Sequence, residues 1–324
     1  MPGKIAFEEH FGVPGSELLD RTEEVLTLAA RRAMHTRLTD LTGDRLRLMD
    51  AADIEHSVLS LMAPGIQALT EPAHAATAAR WHNDYIADAI ADHRDRFSAF
   101  AVLPLQDPDA AAAELQRAVI ELGCVGALVN GYSQISTAES AHYYDQPEYW
   151  PFWSVVEQLG VPVYLHPRNP LPSRQQIYRD HPWLLSAAWA FSVETGTHAL
   201  RLMGSGLFDT YPGLNVILGH LGELVPFNIW RTDHRIGIAP RGVPARHPFR
   251  TYLRNNFYLT TSGNFDHTAL AHVLDVVGAE RILFATDYPF ESMSEAAEWF
   301  DTLPLDQTTR TAIATTNARA LLRL

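Results

Sequence analysis

A chain of 324 residues, 47% hydrophobic and 19% charged, has the apolar content for a large core and excludes the disordered and fibrous classes. Its net charge of −13 sets it against the phosphates of nucleic acid, though it says little about a small anionic substrate, because a local metal outweighs a distant field. The single cysteine, Cys124, excludes an internal disulfide framework and agrees with a reducing cytoplasm. Within the apolar run Leu122–Gly126 it reads as a small core residue rather than a reactive thiol. No run approaches the roughly 20 apolar residues of a membrane span. Carboxylates stand near the amino terminus where a signal peptide needs its apolar stretch, so a soluble, cytoplasmic protein is expected.

In chain order, short β-rich runs alternate with longer helical patterns, as in βαβ units on a parallel sheet. The first strand is expected at Lys4–Phe7, followed by a charged helical insertion from about Ser16 to Ala52. Next come a strand at His56–Ser60, a helix at Ala73–Asp92, a strand at Phe97–Val102 and a helix at Asp109–Glu121. A strand at Gly126–Val129 leads into a long loop, Asn130–Gln146, rich in Gly, Ser and Tyr. Helix Pro151–Leu159, strand Val161–Leu165, helix Leu184–Met203 and strand Val216–Leu218 follow. The chain closes with strand Phe257–Thr260, helix Phe265–Val276, strand Arg281–Ala285 and helix Ser294–Thr302. Eight strands, with no Gly-x-Gly-x-x-Gly turn after the first, favour a closed (β/α)8 barrel over an open doubly wound sheet. With no low-complexity linker, residues 1–324 are read as one α/β barrel domain. The insertion and the long loop should wall its active-site face or meet a neighbouring subunit.

Acid and imidazole groups fall at the carboxyl ends of these strands. Glu8 and His10 lie two apart as the first strand ends, so its period of two puts both on one side and Glu9 on the other. His166 follows Val161-Pro-Val-Tyr-Leu, His220 follows Val216-Ile-Leu-Gly, and Asp287 follows Ile282-Leu-Phe-Ala-Thr. A barrel keeps its chemistry in such a ring. Singly, each group has a plainer reading: a hydrogen-bonded mouth histidine, a structural ion pair for Glu8, or turn initiation by Asp287 before Tyr288-Pro289. Jointly, carboxylates and imidazoles converging on one mouth are costly to bury without a cation. Two carboxylates and two imidazoles, with places left for water or substrate, suit a divalent Zn, Mn or Fe ion. The oxygen-rich shell without a cysteine tilts the choice toward manganese.

At these positions the chain resembles a known family. The segments Lys4-Ile-Ala-Phe-Glu-Glu-His-Phe, Leu165-His-Pro-Arg-Asn-Pro, Leu218-Gly-His-Leu-Gly-Glu, Thr260-Thr-Ser-Gly-Asn-Phe and Ala285-Thr-Asp-Tyr-Pro-Phe-Glu resemble the amidohydrolase superfamily. They are most similar to its non-oxidative aromatic decarboxylases, first those of the γ-resorcylate (2,6-dihydroxybenzoate) kind, then the 2,3-dihydroxybenzoate and salicylate kinds. Ala127-Leu-Val-Asn and Trp230-Arg-Thr-Asp-His extend the likeness from Gly3 to Leu324. The resemblance implies one divalent metal ion, Mn or Zn with Mg as an alternative, on Glu8, His10, His166 and Asp287. It also implies a small aromatic carboxylate as substrate, reversible loss of CO2 in aromatic catabolism, and a homodimer or homotetramer.

Glu8-x-His10 stands where many hydrolases of the superfamily carry His-x-His, which favours a one-metal decarboxylase over a binuclear hydrolase. Asp287 is the first candidate proton donor and His220 the second. Glu223, three residues after His220, either orients its imidazole or stabilises a helix start. Arg231 either binds substrate or orders the His220 loop, and Phe290 either stacks on the substrate ring or simply packs. Other histidines, His234 among them, are read as structural or surface residues. The competing functions are a metal-dependent hydrolase or lactonase, a decarboxylase of a non-benzenoid acid, and a non-catalytic barrel.

Overall fold

The computed structural model describes residues 3–20 and 27–324; residues 21–26 of the expected insertion, and residues 1–2, lie outside them. The strands are β1 (Lys4–Phe11), β2 (Ile54–Leu61), β3 (Phe97–Ala99), β4 (Ala101–Val102), β5 (Ala127–Asn130), β6 (Val163–His166), β7 (Val216–Leu218), β8 (Phe257–Thr260) and β9 (Ile282–Leu283). All pair in parallel and in chain order, β1 to β3 and then β4 to β9. β3 and β4 form one stave broken at Phe100, where the chain changes partners: Phe100 N–H bonds to Leu59 O and Ala101 N–H to Gly126 O. The ring shuts between its ends. Phe7 bridges Ala285, and the amides of Phe7 and His10 donate to Phe284 O and Tyr288 O at 3.1 and 2.7 Å. The result is an eight-staved barrel, as its alternating pattern predicts.

Strand alternation divides the core into two layers. Ile5, Phe7, Val58, Phe100, Leu128, Tyr164, Ile217, Leu283 and Ala285 fill the inside of the barrel. Their sequence neighbours, Ala6, Leu59, Ala127, Val129, Val163, Leu165, Val216 and Leu218, face the surrounding helices in the larger cluster. Ala318, Leu321 and Leu322 of the last helix join the inner layer. Asn317 of the same helix donates to Ala279 O and Ile282 O, at the start of β9. This helix therefore closes the amino ends of the strands and leaves the carboxyl ends as the open, polar face. Cys124 is buried, and burial pushes its thiol up to about 12, as suits a core residue. Among the described residues no helix is long and apolar enough to cross a membrane.

The insertion contributes helices Leu28–Thr39 and Asp44–Ala51, and residues 131–146 form a long loop stitched by one bridge, Ser133 to His142. Three expectations shift. β1 runs on to Phe11, because a register break between Ala6 and Glu9 lets the strand resume pairing beyond Glu8. The helix expected from Leu184 begins only at Ala190: the preceding residues form short 3-10 turns, with Ser186 at φ +59° interrupting any α-helix. Helices at Val225–Ile238 and Phe249–Asn256 were not mapped from the sequence.

Candidate active site at the barrel mouth

Glu8, His10, His166, His220 and Asp287 meet at the carboxyl ends of the strands. Glu8 sits at the β1 bulge with φ +58°, while His220 and Asp287, just past β7 and β9, adopt φ +52° and +72°. Left-handed backbone is unfavourable for such side chains, and here it concentrates where the chain must turn functional groups inward. Glu8 Oε1 lies 3.2 Å from His166 Nε2 and 3.7 Å from His220 Nε2. Asp287 reaches His10 Nε2 at 3.2 Å with Oδ1 and His220 Nε2 at 3.5 Å with Oδ2. Two triads, Glu8/His10/His166 and Glu8/His220/Asp287, each gather their donor atoms within 4.8 Å and share Glu8. The four residues expected to ligate are all buried, and the His220 side chain is 20% exposed.

The residues present fit a divalent ion. Glu8 Oε1 and His10 Nε2 are buried, yet neither makes a hydrogen bond of acceptable geometry, a costly arrangement unless a cation completes it. Burial opposes ionisation of Glu8, but His220, His166 and His10 outweigh it and hold its carboxyl well below the usual range. Burial pushes the His10 imidazole down, toward the neutral form. An ionised carboxylate and a neutral imidazole are the ligand forms a metal requires.

His220 is tuned the other way. Burial pulls its pKa down, but the Glu223 and Glu8 charges and the contact with Asp287 prevail and raise it well above the ordinary value. Glu223 Oε1 lies 2.6 Å from His220 Nδ1. Its helix begins only at Val225, so the carboxylate is spent on the imidazole rather than on the helix start. Asp287 also opens a turn, its carbonyl accepting from the amides of Phe290 and Glu291 at 2.9 and 3.0 Å. That turn brings the half-buried Phe290 ring to 5.4 Å from His10, edge-on.

Arg231 is not brought to this mouth. Its helix buries Val225, Pro226 and Ile229, and Arg231, two residues beyond Ile229, falls on the exposed side. Glu9 points away from Glu8, as alternation requires, and accepts from Thr286 N and Oγ1 at 3.0 and 2.8 Å. Burial pushes its carboxyl up to about 8. Sequence reasoning missed Tyr164, Thr260 and Ser262, which hydrogen-bond one another beneath Glu8. Tyr164 precedes His166 by two and shares its side of β6, a signal the strand period carries.

The profile of the amidohydrolase family matches residues 22–324. The chain is 50% identical over 327 residues to a γ-resorcylate decarboxylase from Rhizobium sp., covering 100% of this chain and 99% of that protein. It superposes with a TM-score of 0.97 and 50% identity on a crystal structure of 2,6-dihydroxybenzoate decarboxylase complexed with 2,6-dihydroxybenzoate, covering 100% of both chains. A dihydroxybenzoic acid decarboxylase from Polaromonas sp., with bound manganese and the inhibitor 2-nitroresorcinol, matches with a TM-score of 0.97 and 48% identity, covering 100% of this chain and 98% of that one. Whole-length identity of this order, on a barrel that superposes with a TM-score of 0.97, makes the chain a member of the amidohydrolase family, in its group of non-oxidative aromatic decarboxylases.

Proposed function

We propose that this chain is a divalent-metal-dependent, reversible decarboxylase of a hydroxylated benzoate of the γ-resorcylate kind. The observation that carries the reading is the convergence of buried Glu8 and His10 ligand atoms, which lack a well-formed hydrogen bond, with His166, Asp287 and a carboxylate-backed His220. Glu8, His10, His166 and Asp287 would hold the ion, with manganese the first choice and zinc or magnesium as alternatives. The ion would supply positive charge that favours binding of an anionic carboxylate with an ortho oxygen beside it.

The chain's own groups then manage protons. Direct loss of CO2 would leave an in-plane aryl carbanion that the ring cannot delocalise. Asp287 instead donates a proton to the carbon bearing the carboxylate. The carbon–carbon bond to CO2 breaks, its electron pair restores the aromatic ring, and the phenol is left. His220, held by Glu223, orders the phenol oxygen and returns a proton to Asp287. Phe290 stacks on the substrate ring.

A homodimer or homotetramer belongs to the same reading. Arg231 stands exposed with Phe227 and Trp230 on the outer face of its helix, and it contacts substrate only if a neighbouring subunit receives it. The test is CO2 release from 2,6-dihydroxybenzoate, 2,3-dihydroxybenzoate and salicylate, before chelation, after it, and after adding back manganese or zinc. Metal-restored conversion to the matching phenol, fastest with 2,6-dihydroxybenzoate, is expected. Silence on all three by a metal-loaded enzyme that opens lactones would replace the decarboxylase with a hydrolase.

A further inference from the structure

Inside the barrel, four hydroxyl and amide groups run in one direction from His220 to Glu8. The His220 amide donates to Ser262 Oγ at 3.1 Å. Ser262 Oγ and Thr260 Oγ1 are 2.9 Å apart, and Thr260 Oγ1 and the Tyr164 hydroxyl are also 2.9 Å apart. The Tyr164 hydroxyl donates to Glu8 Oε2. The two ends set the direction: an amide can only donate and a carboxylate can only accept. With the Tyr164 proton directed at Glu8, Thr260 donates to Tyr164 at 2.9 Å rather than to Glu8 Oε2 at 3.5 Å, and Ser262 donates to Thr260, so each hydroxyl accepts once and donates once toward Glu8. Tyr164, Thr260 and Ser262 are all fully buried, so no water competes for these bonds.

Gly219 makes room for the end of this chain. A Cβ there would stand 2.8 Å from Glu8 Oε2 and 3.1 Å from the Tyr164 hydroxyl, too close for either to remain in place. The two Glu8 oxygens thus have different surroundings. Oε2 is held from below by Tyr164, while Oε1 faces the imidazoles of His166 and His220 without a hydrogen bond.

We infer that Tyr164 is a positioning residue that reserves Glu8 Oε2 for the barrel interior, so that Glu8 presents one oxygen alone to the metal and leaves the neighbouring coordination positions to substrate. The inference rests on the metal-dependent reading above. Without the hydroxyl, Oε2 is free to turn upward and compete with the substrate's oxygens. Outer-shell partners of this kind change metal affinity by about 10- to 100-fold.

The experiment compares wild type and Tyr164→Phe by calorimetric titration with Mn(II), by the electron paramagnetic resonance spectrum of bound Mn(II), and by kcat and KM for 2,6-dihydroxybenzoate. Tyr164→Phe should change Mn(II) affinity about 10- to 100-fold, alter the spectrum of the bound ion, and raise KM even when Mn(II) is saturating. Thr260→Val, which cuts the next link, should move all three readouts the same way by less, and Thr260→Ser should restore them. Should Tyr164→Phe fail to fold, as circular dichroism would reveal, the Thr260 pair decides alone. A folded Tyr164→Phe, or in its absence Thr260→Val, with wild-type Mn(II) affinity and spectrum overturns the inference while leaving the decarboxylase reading intact. A wild-type protein that binds no Mn(II) overturns both.

Discussion

At the level of single residues, the site turns on how Glu223 and Asp287 divide the control of one imidazole. Glu223 is buried, holds His220 Nδ1 at 2.6 Å, and is the largest influence raising the imidazole's pKa against the pull of burial. Glutamine at 223 would keep a hydrogen bond but remove the charge. With burial then less opposed, His220 loses its proton at lower pH. The alkaline limb of kcat should accordingly move to lower pH in Glu223→Gln, with Mn(II) affinity nearly unchanged, because the residue touches no expected ligand atom. An unmoved pH profile would mean that His220 carries no proton in turnover. Asp287→Asn tests the other partner: saturated with Mn(II), it should lose activity by at least about 100-fold, the usual scale of a missing general acid. Full turnover there would pass the donor role to His220.

Secondary elements show where sequence reasoning reaches and where it stops. β7 and β8 were legible to the residue, because an apolar run between turn residues has little freedom in where to pair. The polar ring at the mouth was legible for the same reason: His166, His220 and Asp287 come at the ends of apolar strands, and a barrel stave delivers its next polar residue to the mouth. The bulge at Glu8 was not legible, since it arises from pairing with β2 and not from anything local. Helix Val225–Ile238 escaped because Phe227, Trp230 and Ile238 stand exposed and blur its apolar stripe. Arg231 lies on that exposed side, an orientation its family motif does not reveal.

The loop at 131–146 depends on a tertiary contact no window of sequence contains. His198, from the helix Ala190–Gly204, accepts the Tyr144 amide at Nε2, 3.1 Å away, and packs edge-on against Tyr143. An imidazole that accepts there is neutral. Burial, helped by Arg201, pushes its pKa from the ordinary 6.5 down to about 3. The unfolded chain therefore takes up this proton first as pH falls below 6.5, and the stability His198 supplies at neutral pH is progressively lost down to about 3. At pH 5.5 the loss should be roughly 1 kcal/mol, from 1.36 kcal/mol per pKa unit. Urea unfolding of wild type and His198→Gln at pH 7.5 and 5.5 measures it. The variant should lack that part of the pH dependence, and identical slopes would show the histidine to be protonated in the fold.

Across the whole molecule, the expected ligands come from β1, from the end of β6 and from the turn after β9, so an ion there would tie together staves far apart in sequence. Emptying such a site leaves Glu8 and Asp287 buried near each other, each beside imidazoles that must shift their protonation to compensate. The amino-terminal side of the barrel does not share this dependence. Its inner layer, closed by Ala318, Leu321 and Leu322, is apolar apart from the Tyr164 hydroxyl beneath Glu8. Removing the ion should therefore lower stability without dissolving the barrel. Chelated protein should keep its far-ultraviolet circular dichroism but unfold several degrees earlier, and Mn(II) should restore the transition in proportion to its concentration. At 100 times the dissociation constant the gain expected from linkage is about 2.7 kcal/mol. Zinc and magnesium titrated in the same way would rank the ions by the stability each confers, independently of turnover. An unfolding transition indifferent to all three would mean that the converging carboxylates and imidazoles hold one another and not a cation.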